Sequence, residues 1–272
     1  MKHFVIVAGV LVVLFIVGWL GLQVRPKPFK PYTEQLPDLK FIPLLDDLPA
    51  PVERFYKTVY GDEIPLIETV VIRGHAVLSP FGVKLPARFL FVHDAGKAYR
   101  HYIEATWFGI PLMKVNEGYL YGRSFFELSG TDQIENDSST NQAANLAVWA
   151  EAAWFPSIWV TDPRVRWESV DKDTALLYVP FEDQEENFVV RFDPETGLLG
   201  TMEAMRYRDA GPQAKKILWI TNTLPGKYIE GSKLSAVGSA TWLDQGKPWA
   251  VFTLEEVKYN VNVSEYIRQR GQ

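Results

Sequence analysis

Glu151 is the residue of this chain whose chemistry most needs an explanation. It stands in "NLAVWAEAAWFPSIW", Asn145 to Trp159, a run that is apolar almost all round when wound as a helix. Its neighbours on the same helix face are Ala147, Val148, Trp154 and Phe155, and none of them can meet a charge. A buried, unpaired carboxylate costs several kcal/mol or is forced neutral. Near a helix C-terminus the dipole opposes an anion as well. The carboxylate must therefore reach water or meet a basic group brought in by another element. Arg54, Arg166 and Arg206 are the ion-pair candidates. Three roles stay open for Glu151: a structural ion pair, a polar anchor at the end of an apolar pocket, and a general acid or base.

The remaining reactive side chains add little. The chain has 272 residues and no cysteine, which excludes disulfides, thiol nucleophiles and Cys-based metal sites. Of the four histidines, His93 and His101 flank a turn at Ala95-Gly96. If Asp94 opposes Lys97, His93 faces Ala98 and His101 faces Leu90, so the two rings point to opposite sides of a sheet. On that register no His-based metal site forms; a one-residue bulge reverses the conclusion. No G-x-S-x-G elbow, G-x-G-x-x-G fingerprint or P-loop occurs. No catalytic residue, metal or cofactor is assigned. A hydrolase using Glu151 with a second acid is the least favoured reading, because sequence does not show the separation that two-carboxylate chemistry needs.

Aromatic side chains are the other chemical signal. Nine Trp and 14% aromatic residues are enough to line a pocket. Trp107, Tyr119, Trp149, Trp154 and Trp167, with Glu151, are the candidate ligand-binding residues between helix and sheet. The competing reading is that they only fill a core. The net charge of −5 argues against a nucleic-acid partner. Four of the basic residues precede Glu34, the first acid, so the acidity belongs to the rest of the chain and the N-terminal flank is basic. A basic flank suits anionic lipid headgroups.

These residues need elements to position them. Phe4 to Leu22 is an uncharged apolar run of about 28 Å as a helix, close to one hydrocarbon core. It is longer than the core of a cleaved signal peptide and lacks a good cleavage site. Residues 1–24 are therefore predicted to be an uncleaved transmembrane anchor. Residues 25–50 are rich in proline and read as an extended stalk. "LPAPVERFYKTVYG" then predicts a short helix opened by Pro51 and closed by Gly61.

From Leu66 onward, segments rich in aromatic and β-branched residues alternate with Gly, Pro and Asp turns, giving about 11–12 strands with short connections. "FDPETGLL" reads as a tight hairpin turn. Ser139 with Gln142 fits a capping box for the apolar helix at 139–155, and Pro156 prevents its continuation. A helix so apolar must be covered on most sides. The expected fold is β-rich α+β, a large curved antiparallel sheet forming an open half-barrel around that helix. Residues 51–262 form this single domain, and 263–272 read as a polar tail.

The segments "LPAPVERF" (48–55), "WAEAAWFPS" (149–157), "VRW" (165–167), "RFD" (191–193) and "AMRYR" (204–208) occur in order. Together they resemble an uncharacterised, domain-of-unknown-function family of membrane-anchored bacterial proteins, over roughly residues 48–260. Its "L-P-x-P-V-x-R" start matches Leu48, Pro49, Pro51, Val52 and Arg54. Its "A-E-x-x-W-F-P" helix end matches Ala150, Glu151, Trp154, Phe155 and Pro156. The resemblance implies that Glu151 belongs to the family pattern; it implies no established activity. In architecture alone, a helix between two antiparallel strand sets is similar to the half-barrel lipoprotein carriers of the bacterial envelope. That similarity implies a domain outside the cytoplasmic membrane, although the flanking charge read literally favours the cytoplasm. The resulting expectation is a membrane-anchored, non-enzymatic envelope protein that binds a lipid or other apolar molecule. The alternative is a structural or protein-interaction module with a filled core.

Overall fold

The computed structural model describes residues 2–33, 36–129 and 134–268. Helix α1 (Lys2–Gln23) precedes a small pair of strands, β1 (Phe41–Pro43) and β2 (Glu63–Pro65), with α2 (Ala50–Val59) between them. One meander follows: β3 (Thr69–Leu78), β4 (Leu85–Asp94), β5 (Ala98–Trp107), β6 (Ile110–Leu120), β7 (Arg123–Leu128) and β8 (Ile134–Glu135). Helix α3 (Ser138–Glu151) and the short α4 (Ile158–Thr161) come next. A second meander runs through β9 (Arg166–Ser169), β10 (Thr174–Phe181), β11 (Gln184–Phe192), β12 (Leu199–Tyr207), β13 (Lys216–Thr223), β14 (Val237–Trp242) and β15 (Pro248–Tyr259), and α5 (Ser264–Arg268) ends the described chain.

Among the described residues the two meanders form one open sheet of 13 strands, ordered β8-β7-β6-β5-β4-β3-β15-β14-β13-β12-β11-β10-β9. They join at its centre, where β3 pairs antiparallel with β15. The edge strands β8 and β9 have two and four residues. Short edges of this kind limit unwanted pairing with other chains.

Helix α3 lies on the inner face, with Leu146 and Trp149 fully buried. Its polar residues explain how so apolar a helix holds one position. Gln142 donates to the Met205 carbonyl at 2.9 Å and accepts from the Tyr207 amide at 3.2 Å, so one side chain engages the backbone of β12 twice. Asn145 donates to the Pro180 carbonyl at 3.0 Å. This corrects the expected capping box. The cap is Asp137, whose carboxylate accepts from the Ser139 and Thr140 amides, and Gln142 is committed to the sheet instead. After Glu151 the chain tightens into a single 3-10 turn, Ala152–Trp154. Tyr56 of α2 donates to the Pro156 carbonyl at 2.6 Å and Tyr259 of β15 to the Trp154 carbonyl at 2.9 Å, fixing the end of the helical run.

The outer face carries its own cluster: Phe29, Val71, Leu90, Val92, Ala98, Tyr102, Val261, Val263 and Ile267. Two sequence expectations change here. The first part of the proline-rich segment does not stand clear as a stalk. It lies extended on the sheet, with Arg73 and Arg88 donating to the Phe29 and Lys27 carbonyls and the Arg88 guanidinium 4.5 Å from the Phe29 ring. Proline keeps this segment extended, and Phe29 and Tyr32 supply apolar contacts with the outer cluster. The expected polar tail begins instead with buried Val263 and Ile267, the latter on α5; residues 269–272 lie outside the described residues.

Two substitutions separate capping from packing on α3. Asp137→Ala is expected to cost about 1 kcal/mol. Leu146→Ala, at a fully buried site, is expected to cost about 2–5 kcal/mol. Chemical denaturation of both variants checks the ranking, and equal losses would contradict the placement of α3.

Candidate functional site

The β4–β5 hairpin sets the chemistry beneath α3. Asp94 pairs with Ala98, so the loop is Ala95-Gly96-Lys97, three residues rather than the two assumed from sequence. Gly96 takes φ +69°, the left-handed conformation a tight three-residue connection draws on. A Cβ there would stand 2.9 Å from the Trp149 ring. The one-residue change in register turns His93 and His101 to the same, inner face, where His93 opposes Tyr99 and His101 opposes Phe91.

Both rings converge on Glu151. His101 Nε2 is 2.8 Å from Glu151 Oε2, and its Nδ1 is 3.0 Å from Glu117 Oε1 on β6. His93 Nε2 is 3.1 Å from the same Glu151 oxygen, but neither of its ring nitrogens has hydrogen-bond geometry to any partner. Stacked rings hold His101 on both sides, Phe91 at 3.8 Å and Tyr99 at 4.1 Å between centroids.

These contacts fix the charges. Burial alone would lower the His101 pKa, but Glu151 and Glu117 outweigh it and raise it to about 9. Burial would raise the Glu151 pKa, but His101 and then His93 outweigh it and bring it down to about 2. Burial dominates at His93, whose pKa falls. At neutral pH the site holds an imidazolium, a carboxylate and a neutral imidazole. The helix C-terminus thus faces a net cation–anion pair, not the lone anion that the sequence implied.

The expected arginine partners lie elsewhere. Arg54 pairs with Asp173 at 2.8 Å and Arg166 with Glu185 at 2.7 Å. Both are on outlying elements that cannot reach the inner face of β4 and β5. Arg206 does face the same cavity as Glu151, but its Nε donates to the Ala143 carbonyl at 2.9 Å. Its guanidinium stands over the Trp219 ring at 4.4 Å and the Trp242 ring at 5.5 Å. Burial pushes its pKa down.

The cavity bounded by these groups measures about 500 Å³. Its apolar walls include Phe91, Ile103, Trp219, Trp242, Trp249 and Phe252 from the sheet, and Ala144 and Ala147 from α3. Glu117, His101, Glu151, Arg206, Arg208 and Asp209 supply its charged groups. A narrow apolar annex of about 60 Å³ continues past Glu151 to Trp154 and shares Phe91, Trp219 and Phe252 with it. A separate hollow of about 650 Å³ lies between β1, the 227–236 segment and β15, with Lys227, Glu230, Glu255, Glu256 and Lys258 in its walls.

Of the aromatic candidates, only Trp154 touches this space. Trp149 is fully buried against the Gly96 turn, where it helps to hold the histidine register. Trp107 donates from Nε1 to the Gly18 carbonyl of α1 at 3.0 Å, far from any pocket role. Tyr119 packs in the core, and Trp167 packs on Trp159 and Phe192. The residues that sequence reasoning missed lie in the last strands, where Trp219 and Trp242 are direct cross-strand partners. Their alternation was visible; their face was not.

Residues 42–254 match the model of a family described as a family of unknown function, DUF6544. The chain is a DUF6544 protein. No curated protein matches it. Among solved structures, a LolA superfamily protein from Nitrosomonas europaea is similar at 10% identity and a TM-score of 0.48, over 82% of this chain and 98% of that one. A DUF1329 family protein from Desulfovibrio piger is similar at 11% identity and a TM-score of 0.43, over 75% and 90%. A putative outer membrane lipoprotein-sorting protein domain from Vibrio parahaemolyticus gives 9% identity and a TM-score of 0.42, over 79% and 92%. Within the DUF6544 match, the "A-E-x-x-W-F-P" end of α3 now has a physical account: the Glu meets two histidines, and the Trp and Pro carbonyls accept the tyrosine hydrogen bonds.

Replacing Glu151 by Gln removes the main counter-charge of His101. The His101 pKa should fall from about 9, read by NMR titration in the presence of a chelator. In the wild type the folded His101 pKa lies above its unfolded value, so this contribution is complete below about pH 6.5 and fades as pH rises toward 9. Glu151→Gln should therefore cost about 2 kcal/mol near pH 6 and progressively less toward pH 9, because the imidazole can shed its proton. A loss that grows with pH would refute the pairing.

Proposed function

We propose that this protein holds an apolar molecule bearing a polar head, a lipid or lipid-like compound, in the cavity between α3 and the sheet. The observation that carries this reading is the cavity of about 500 Å³, within the range of ligand sites of about 300–1,000 Å³. Its walls are mostly aromatic and aliphatic, with His101, Glu117, Glu151, Arg206, Arg208 and Asp209 among them. That mixture suits a molecule with a greasy body and a polar group. The larger hollow beside the 227–236 segment suits such a ligand less well, because no Trp lines it and its walls hold fewer aromatic side chains.

The same reading anchors the protein in a membrane. Residues His3–Gln23 form a helix long and apolar enough to cross one, with a hydropathy of 2.9. The β5–β6 turn meets the C-terminal end of this helix, where the Phe108 amide donates to the Gly21 carbonyl at 2.9 Å. Beside that junction Ile110 and Leu112 are 64% and 63% exposed. Apolar side chains in that position suit an interface better than open water. In this reading the domain rests against the bilayer on its outer side, and an alkaline phosphatase fused at the C-terminus is expected to be active.

A chain beginning at Val24 keeps the segment that docks on the outer face and can be purified without detergent. Native mass spectrometry of this form, with long-chain fatty acid added, is expected to show one ligand per chain. Ala147→Trp, which fills the cavity from α3, should weaken that binding by about tenfold or more, corresponding to the loss of at least 1.4 kcal/mol. Absence of saturable binding, or binding indifferent to Ala147→Trp, would leave a filled-core interaction module as the better reading.

A further inference from the structure

We propose that His93, His101 and Glu151 form a binding site for one divalent transition-metal ion of the zinc class. This inference does not depend on the cavity holding a lipid, since the ion requires only these three side chains.

The ligand atoms are already assembled. One atom from each residue lies within 4.8 Å of the other two. The two imidazole nitrogens stand 3.1 and 2.8 Å from the same carboxylate oxygen. Zinc binds His nitrogen and carboxylate oxygen at about 2.0–2.2 Å, so neighbouring ligands of a tetrahedral ion are about 3.4 Å apart. The two carboxylate–imidazole distances would open by about 0.3 and 0.6 Å to admit the ion.

Three features point to a metal rather than a simple ion pair. First, His93 is fully buried, its Nδ1 has no hydrogen-bond partner and its Nε2 has only the 3.1 Å approach to Glu151 Oε2. Leaving buried polar atoms unsatisfied is costly, and coordination through Nε2 would satisfy one of them. Second, His101 presents Nε2 to the cluster while Nδ1 meets the Glu117 carboxylate at 3.0 Å. An outer carboxylate of this kind sets the tautomer that leaves Nε2 free to ligate. Third, His101 and Glu151 border the cavity, which gives an ion and a small further ligand a route to the cluster. Three protein ligands and one open position are the pattern of a zinc site that takes water or another small ligand. Two imidazoles and one carboxylate select zinc, cobalt or nickel over calcium and magnesium, which prefer all-oxygen shells.

The sheet and helix hold the ligands in place. His93 and His101 occupy adjacent strands in a fixed register, and Glu151 ends a helix pinned to β12 and β10. In the metal-free protein the His101 proton neutralises Glu151; the ion would take over that task.

The test uses the full chain in detergent, without a polyhistidine tag and stripped with chelator. Equilibrium dialysis against Zn²⁺ is expected to give one ion per chain. Co²⁺ in its place should produce the visible absorption of a four- or five-coordinate centre. Glu151→Gln and His93→Gln should each weaken Zn²⁺ binding by about 100-fold, and Glu117→Gln by about 10–100-fold. His75→Gln should leave it unchanged. Circular dichroism shows which variants fold. X-ray absorption of the Zn²⁺-loaded wild type gives a readout that needs no variant, and two imidazoles in the shell are expected. No saturable binding, an affinity unaffected by Glu151→Gln in a folded variant, or a shell without imidazole would overturn the proposal.

Discussion

A carboxylate placed at the unfavourable end of a buried helix has to be compensated, and much of this structure follows from how that is done. The compensation comes from the adjacent strands β4 and β5, not from the arginines scattered around the sheet. Glu151 and Glu117 raise the His101 pKa to about 9, within reach of titration. An arginine brought to the same point would stay charged whatever its neighbours. A histidine partner therefore makes the site adjustable, and it leaves the same nitrogen available to a Lewis acid.

That arrangement depends on a turn of three residues. Gly96 allows the tight connection, Trp149 of α3 packs against it, and the Arg164 guanidinium donates to the Gly96 carbonyl at 2.9 Å. Helix and hairpin thus specify one another. The helix fixes the turn, the turn fixes which way the histidines face, and the histidines accept the helix's acid. Gln142 and Asn145 add directional bonds to the sheet backbone, which the apolar contacts alone would not supply.

The architecture was legible in the sequence because it is written in periodicity. The strand set, the apolar helix, the helix opened by Pro51 and the 193–198 turn each follow from local pattern and appear as expected, the last with the Asp193 carboxylate accepting from the Thr196 amide at 2.7 Å. The site was half legible. Glu151 announced itself as an anomaly, but its partners depend on a loop length, and a one-residue difference moves every side chain of a strand to the other face. Trp107 and Trp167 were read as pocket residues because aromatic type carries no information about facing direction. Trp219 and Trp242 were missed for the same reason. The docking of Phe29 on the outer face arises from contacts with residues 71–102 and 261–267, separations that no local pattern encodes.

The pairing of β3 with β15 at the middle of the sheet carries a consequence for biogenesis. The first meander leaves the ribosome with one long side of β3 unpaired, and its mate, residues 248–259, follows only after the whole second meander. Until β15 emerges, the nascent domain therefore displays an open seam of backbone donors and acceptors. Closing that seam is a late, non-local event of the kind that folds slowly. The final strand acts as the clasp that turns two half-sheets into one.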